Sequence, residues 1–310
     1  MERYINSFAT ENDIQTALEN GELLKPYVAY IEDVDRIDWN SKEKVDYTTE
    51  YLTFNITSNG NINVPTGTTY SINGAEWENT GTTITVNSGE TIRFKGNNSK
   101  YNNNTFGSST ASFEIEGNIM SLIYGDDFKN KLTISSTYAF DGLFSNCTGL
   151  TSAENLILPA TTLVNGCYSS MFKGCTSLAT APALPATTLA YQCYIQMFWS
   201  CTSLTTAPAL PATTLASGCY RQMFYGCTSL KTAPALPATT LAEDCYYNMF
   251  YGCSSLNYIK CLATDIPSSY STYYWVDGVA ATGTFVKAAG MTKWRTGKDG
   301  IPSGWTVQDA

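Results

Sequence analysis

Apolar and polar residues alternate in six short runs between residues 51 and 118, which is the pattern of half-buried β-strands. The runs read YLTFNIT, NINV, TYSIN, TITV, TIRFKG and SFEIEG. Turn signals such as Asn-Gly, Pro-Thr-Gly and Ser-Gly separate them. We therefore predict a small β-sandwich over residues 51–118. The asparagine-rich stretch Asn97–Asn104 is expected to form an exposed, mobile loop.

Farther along the chain, the apolar pattern repeats at a fixed interval of 26 residues. Met-Phe pairs begin at Met171, Met197, Met223 and Met249, and two cysteine series and one leucine series keep the same interval. A degenerate copy, LFSNCTGL (Leu143–Leu150), precedes them two residues out of step. Such a period is typical of stacked units in which each repeat covers the apolar face of its neighbour. The sequence thus predicts a solenoid over residues 119–262.

Each repeat is interpreted as a short strand followed by a short helical turn. The strand pattern L-x-x-A-x-A, which ends at Ala183 in the first full repeat, is expected to face inward. Cys167 and Met171 stand four residues apart and so share a helical face, which leaves Ser169 and Ser170 outside. The prolines of the APALP motif cannot donate a ladder hydrogen bond, so the strand there is expected to be very short or partly polyproline-like.

The first fifty residues are expected to form an N-terminal α/β attachment unit. Thr10 fits a helix N-cap and Gly21 fits a helix stop, with Pro26 following. The segment Tyr27–Trp39 has the pattern of one or two strands with acidic edges. Fifty residues bury little core alone, so the unit should dock on a larger partner. The predicted domain order is attachment unit (1–50), β-sandwich (51–118), solenoid (119–262) and C-terminal cap (263–310).

Charge and hydropathy exclude several classes of partner. The formal net charge is −9, but residues 154–256 contain three acids and three bases. No basic patch is available to hold nucleic-acid phosphates or anionic lipids. No run of 18 apolar residues predicts a transmembrane helix, and no apolar signal segment opens the sequence. We expect folding in a cytosol, where cysteines stay thiols.

The sequence offers little for catalysis or metal binding. The chain contains no histidine, which excludes mechanisms that use an imidazole base or ligand. The repeats hold only Glu154, Glu243 and Asp244 as acids, so we expect no enzyme and keep a carbohydrate depolymerase as a remote alternative. A column of buried thiols is favoured over disulfides such as Cys167–Cys175, and neither arrangement is a metal site. No metal and no cofactor are expected.

The positions that differ between nearly identical repeats predict the functional surface. The residues before each Cys-Tyr, before each Met-Phe and after each Phe vary, whereas the framework barely changes. Aromatic residues mixed with Ser, Gln, Asn and Arg are typical of recognition surfaces. The alternative is that these are ordinary surface positions, which vary freely because they are not buried. The candidate ligand-binding stripe consists of Tyr191, Ile195, Trp199, Arg221, Tyr225, Tyr247 and Tyr251.

The pattern MF-x-x-C-T-S-L followed by a proline-rich turn resembles BspA-type leucine-rich repeats, which occur on surface proteins and phage virion proteins of gut anaerobes. The tail TGTFVKAAGMTKW…GIPSGWTV (Thr282–Val307) is similar to segments that close such arrays. Residues 51–150, with RFKG and GNIMSLIYGDDF, resemble the β-module that often precedes them. PYVAYIEDVDRIDWN is similar to N-terminal segments of phage tail or head-fibre proteins. Alanines stand where the usual strand has leucines.

These features together predict a non-enzymatic binding and display protein. The favoured role is a phage virion fibre or decoration protein that is held in the virion through the N-terminal unit. It would contact a host-surface glycan or protein through the solenoid, after folding in the host cytosol. The alternative is a bacterial cell-surface or secreted adhesin. No nucleic acid and no membrane insertion are expected, and a homotrimer would fit fibre proteins of the resembled kind.

Overall fold

The computed structural model describes residues 46–79, 82–101, 105–268 and 270–310. The helix and strands expected in the attachment unit fall on residues 1–45 and lie outside the described residues. Residues Tyr47–Ala310 form one compact unit. Its described part is β-rich with few short helices, as the sequence predicts, and contains ten strands, one four-residue α-helix and two 3-10 helices.

All six strands predicted between residues 51 and 118 are confirmed. They are β1 (Leu52–Ile56), β2 (Gly60–Asn63), β3 (Thr68–Ile72), β4 (Thr83–Val86), β5 (Thr91–Gly96) and β6 (Phe113–Asn118). Four further strands follow, namely β7 (Leu150–Ile157), β8 (Tyr258–Cys261), β9 (Thr284–Lys287) and β10 (Thr306–Asp309). The helix α1 is Ser121–Tyr124, and the 3-10 helices are Tyr47–Thr49 and Gly125–Asp127.

The strands form three sheets. A five-stranded sheet has the order β3-β5-β1-β6-β7, and β2 pairs with β4. In the third sheet β9 lies between β8 and β10, parallel to both. Strand β6 also pairs in parallel with β7, which belongs to the first, degenerate repeat copy. The predicted boundary at residue 118 therefore falls within a continuous sheet, and the apolar core runs through it without a break.

Proline explains why the later repeats contain almost no strand. Strand β7 has eight residues and occupies the position that APALP takes in later copies. Where the prolines are present, pairing shrinks to single-residue bridges such as Thr180↔Thr206. A proline lacks the N–H that the ladder needs, so the strand cannot extend through it. The expectation of a very short strand is confirmed.

The inward-facing residues of this segment differ from the sequence expectation. Leu178 is buried, but Ala181 is only half-buried and Ala183 is exposed. Leu184 and Ala186 face the core instead. Buried and exposed positions still alternate here, but in the phase of Leu178, so Pro182, Leu184 and Ala186 face inward whereas Ala181 and Ala183 do not.

The other side of each repeat is a turn segment, which spans residues 165–175 in the first full repeat and recurs every 26 residues. Its backbone amides alternate between two kinds of acceptor. The N–H of Phe172 donates to the carbonyl of Met197 in the next repeat at 2.9 Å. The N–H of Met171 donates to the carbonyl of Tyr168, three residues back, at 3.4 Å. This alternation gives the buried backbone of the turn segments hydrogen-bond partners although they contain neither helix nor strand.

The expected short helical turn is therefore wrong, and the reason lies in the backbone dihedral angles. Gly166, Ser170 and Gly174 have φ of 61°, 52° and 73°, so every fourth residue is left-handed. A right-handed helix cannot pass through such residues. The same spacing recurs in the next repeat at Gln192, Gln196 and Ser200.

The four-residue spacing still sorts side chains into inner and outer pairs. Cys167 and Met171 are fully buried on one side, as expected. The residues that follow them, Tyr168 and Phe172, are also buried. Ser170 is half-buried, whereas Ser169 is buried, which corrects the expectation that Ser169 points outward.

Identical residues of successive repeats stack into columns in the core. The rings of Phe144, Phe172, Phe198, Phe224 and Phe250 are each 5.4 to 5.7 Å from the next, with interplanar angles of 1° to 13°. All ten cysteines are buried free thiols, so the disulfide alternative is not realised. Several thiols also join neighbouring copies, because Cys201 Sγ donates to the carbonyl of Phe172 at 3.1 Å.

The columns extend at both ends beyond the repeats that the sequence predicts. Tyr101, in the loop expected to be exposed and mobile, is buried and stacks on Phe140 at 6.4 Å. Phe106 likewise stacks on Phe144 at 5.6 Å. At the other end, Trp275 is buried against Tyr246 at 6.0 Å. The region of the predicted β-sandwich thus supplies the first layer, and a degenerate copy within the predicted cap extends the other end, where Trp275 stacks in turn on Trp294 at 5.5 Å.

Candidate binding surface

The candidate stripe lies on the outer side of the turn segments. Tyr191 is exposed, and the other six members are half-buried. The residues occur four apart within a repeat and 26 apart between repeats, so the left-handed spacing of the turn segment directs them to one side. The structure therefore brings all seven predicted residues onto one surface.

The residues that follow each phenylalanine form a first column. The rings of Trp199 and Tyr225 are stacked at 5.6 Å, and those of Tyr225 and Tyr251 at 4.8 Å. Lys173 covers the far side of the column, with its Nζ 4.7 Å from the centre of the Trp199 ring. We call these four residues the lysine–aromatic column. An ammonium group over a tryptophan face is a favourable cation–π arrangement.

A second column comes from the residues before each Met-Phe pair. The guanidinium carbon of Arg221 lies 4.1 Å from the centre of the Tyr247 ring. The Tyr247 ring lies 5.2 Å from that of Tyr273. Arg221 also forms an ion pair with Asp244 at 2.7 Å. We call Arg221, Tyr247 and Tyr273 the arginine–tyrosine column; Ile195 occupies the same position one repeat before it.

Amide side chains link adjacent repeats on the same outer surface. Gln196 Nε2 donates to Gln222 Oε1 at 2.7 Å. Lys173 Nζ donates to Gln196 Oε1 at 2.9 Å. These two glutamines follow the variable positions 195 and 221, and their bonds hold adjacent repeats in a fixed register. The outer surface is therefore ordered by side-chain contacts as well as by the backbone.

Tyr273 belongs to a group of tyrosines in the region of the predicted cap, outside the candidate stripe. Its ring lies 4.4 Å from that of Tyr274 and 5.9 Å from that of Tyr270, which is 54% exposed. Lys298 Nζ lies 3.5 Å from the centre of the Tyr274 ring, and its hydrogen bond to Tyr274 raises the pKa of the ammonium. The missed signal was the interval, since Tyr273 follows Tyr247 by 26 residues and Gly278 follows Gly252 by 26.

We call the seven candidate residues together with Tyr270, Tyr273 and Tyr274 the aromatic face. Within the described ranges, no group of three or more His, Cys, Asp or Glu side chains could hold a metal ion. The same ranges contain no helix that is long and apolar enough to span a bilayer. The chemistry that the aromatic face offers is therefore contact through rings, phenol hydroxyls and amides.

No protein-family model, no curated protein and no solved structure matches the chain.

Proposed function

We propose that this chain is a non-enzymatic binding and display protein, built as a solenoid of BspA-like leucine-rich repeats between a β-module and a C-terminal cap. The proposed role is a phage virion fibre or decoration protein that contacts the bacterial host surface through the aromatic face. The N-terminal unit would attach it to the virion.

One observation carries the proposal. Positions that are constant between repeats, such as Met197 and Phe198, are fully buried, whereas the variable position next to them, Trp199, projects outward. Variation limited to an ordered outer surface is what a display scaffold requires, because ligand contacts can change while the core stays packed. Rings that are already held in columns lose little conformational entropy when they bind.

The likeness of PYVAYIEDVDRIDWN to phage fibre segments favours the virion role over the adhesin role. The two roles make different predictions about location. Antibodies against the chain should label purified phage particles in electron micrographs. Labelling of a bacterium's own surface, with unlabelled particles, would favour the adhesin instead.

Binding itself is tested with the full chain, fluorescently labelled, on a panel of gut anaerobic bacteria. The triple variant Trp199→Ser, Tyr225→Ser, Tyr251→Ser should lose attachment to every strain that binds the unaltered chain. The matched control is Leu132→Ser, since Leu132 is a 58% exposed apolar residue outside the aromatic face. If no strain retains the chain, or the triple variant attaches as well as the control, the proposed function is wrong.

A further inference from the structure

Five of the six ring faces in the lysine–aromatic column are covered by a neighbouring ring or ammonium group. Tyr225 lies between Trp199 and Tyr251, at 5.6 Å and 4.8 Å, with interplanar angles of 19° and 9°. The free side of Trp199 is covered by the Lys173 ammonium. A ring stacked on both sides presents only its edge and its polar substituent to a ligand.

The arginine–tyrosine column is closed in the same way. One face of Tyr247 is covered by the Arg221 guanidinium, and the other is turned toward Tyr273 with an interplanar angle of 30°. Tyr273 is in turn packed against Tyr274 and Tyr270. Both columns therefore present ring edges and phenol hydroxyls over most of their length.

The cations within the columns also have partners. Arg221 is held by Asp244 and by the Tyr247 ring, and Lys173 by Gln196 and by the Trp199 ring. A ligand that depends on charge, such as an acidic polysaccharide or a phosphate-bearing polymer, would have to break these contacts before it could pair with either group. The two columns are thus poorly suited to anionic ligands.

A neutral sugar ring has a different requirement. The C–H groups on one side of a sugar carry partial positive charge and pack against the negative face of an aromatic ring, so an uncovered ring face is needed. Among the aromatic residues of the candidate stripe, all of which are described, Tyr191 alone has neither a ring nor a cation packed on it. Its equivalents in adjacent repeats are the short residues Asn165 and Ser217. A glycan would therefore depend mainly on Tyr191, since the columns offer only one further uncovered face, on Tyr251.

We infer that the partner of the aromatic face is a folded protein on the host surface and not a glycan, an inference that rests on the proposed function. Rigid tyrosine, tryptophan and arginine side chains that present edges and hydroxyls resemble the central residues of protein–protein interfaces. Such a partner makes hydrogen bonds with the tyrosine hydroxyls and apolar contacts with the ring edges, and needs no free ring face.

Two single variants separate the partner classes. Tyr225→Ser removes the middle ring of the lysine–aromatic column and uncovers faces of Trp199 and Tyr251. With a protein partner, this variant should weaken attachment roughly tenfold or more, whereas Tyr191→Ser should change it by less than about threefold. With a glycan partner the order reverses, since Tyr191 supplies the open ring and the Tyr225 variant creates new open faces.

The probe is intact cells of a strain that binds the unaltered chain, used untreated, after proteinase K digestion, or after periodate oxidation of surface sugars. We expect attachment to be lost after digestion and kept after periodate. Loss of attachment after periodate overturns the inference, whether or not digestion also abolishes attachment. Survival of attachment after proteinase K digestion overturns it as well. Failure of the proposed function looks different, because then the triple variant attaches to untreated cells as well as Leu132→Ser does.

Discussion

The ring of Phe198 lies parallel to the ring of Phe172, with centroids 5.5 Å apart and an interplanar angle of 1°. These residues occupy the same position in successive repeats, and both are fully buried. The backbone between them is matched as well, since the N–H of Phe172 donates to the carbonyl of Met197. Each repeat therefore supplies the one before it with both a packing surface and hydrogen-bond acceptors.

Replacing Phe198 by alanine should lower the free energy of unfolding by about 3–5 kcal/mol, because it leaves a cavity between two stacked rings in a closed core. Urea denaturation followed by circular dichroism measures the change. The neighbouring change Trp199→Ser should cost only about 1 kcal/mol, since that ring is half-exposed and loses mainly its stacking contacts. Equal costs for the two variants would contradict the assignment of inner and outer positions.

The buried thiols should make the protein sensitive to alkali. Burial raises the pKa of six of them from an ordinary value of 9.0 to about 12, namely Cys167, Cys175, Cys193, Cys245, Cys253 and Cys261. Between these two pKa values the unfolded chain releases protons that the folded chain retains. Stability is therefore fully present below pH 9.0 and falls as the pH rises toward 12, by about 1.4 kcal/mol per pH unit for each thiol.

Urea midpoints at about pH 8 and about pH 10 check this, and the midpoint should be clearly lower at the higher pH. The variant Cys193→Ala should be less stable at both pH values. Its free energy of unfolding should fall less steeply with pH, because one fewer buried thiol titrates. Identical urea midpoints for the unaltered chain at the two pH values would show that the thiols are not buried from solvent as they are in the structure.

The left-handed positions predict a stabilising substitution. Ser200 has φ of 57°, and its equivalents Gly174, Gly226 and Gly252 have φ of 70° to 73°. A left-handed conformation costs a residue with a Cβ about 1–2 kcal/mol. Glycine avoids this cost, but it also raises the conformational entropy of the unfolded chain, which offsets part of the gain. Ser200→Gly should therefore raise the free energy of unfolding by roughly 0.5–1 kcal/mol.

Thermal unfolding compares this variant with Gln222→Gly, at a position where φ is 57° as well. The second variant should gain less, because it removes the hydrogen bond between Gln196 and Gln222. A loss of stability in Ser200→Gly would contradict the backbone assignment of the turn segments.

The sequence predicted the strands of the β-module and the buried positions of the repeats, since alternation and a fixed interval both follow directly from packing. It did not predict the turn segments, because residues four apart share a face in a helix and also in a chain with a left-handed residue at every fourth position. Glycines at 166, 174, 218, 226 and 252 carried that signal. Ala183 was misplaced because the pattern L-x-x-A-x-A assigns it the phase opposite to Leu178, whereas the buried positions keep the phase of Leu178 through Leu184.

The candidate binding surface was predicted at its centre and missed at its end. Trp199, Tyr225 and Tyr251 could be found because their repeats are nearly identical and the variable positions stand out. Tyr273 and Tyr274 lie in a copy that has lost the Cys and Met-Phe markers, where Trp275 takes the methionine position. Only the interval and a glycine remain as signals there. The covered ring faces depend on side-chain conformations, which no sequence pattern reveals.

The central claim is that successive repeats lie in register at 26-residue steps. Deleting Ala181–Thr206 removes one whole repeat. Thr180 is then followed by Ala207, which in the unaltered chain follows the equivalent residue Thr206. Deleting Pro185–Thr206 removes 22 residues and breaks the register. Circular dichroism with urea denaturation compares the two shortened chains. The account predicts that the first chain unfolds cooperatively, with a modestly lower midpoint, while the second loses cooperative unfolding. Equal behaviour of the two chains, whether both fold or both fail, would contradict the account.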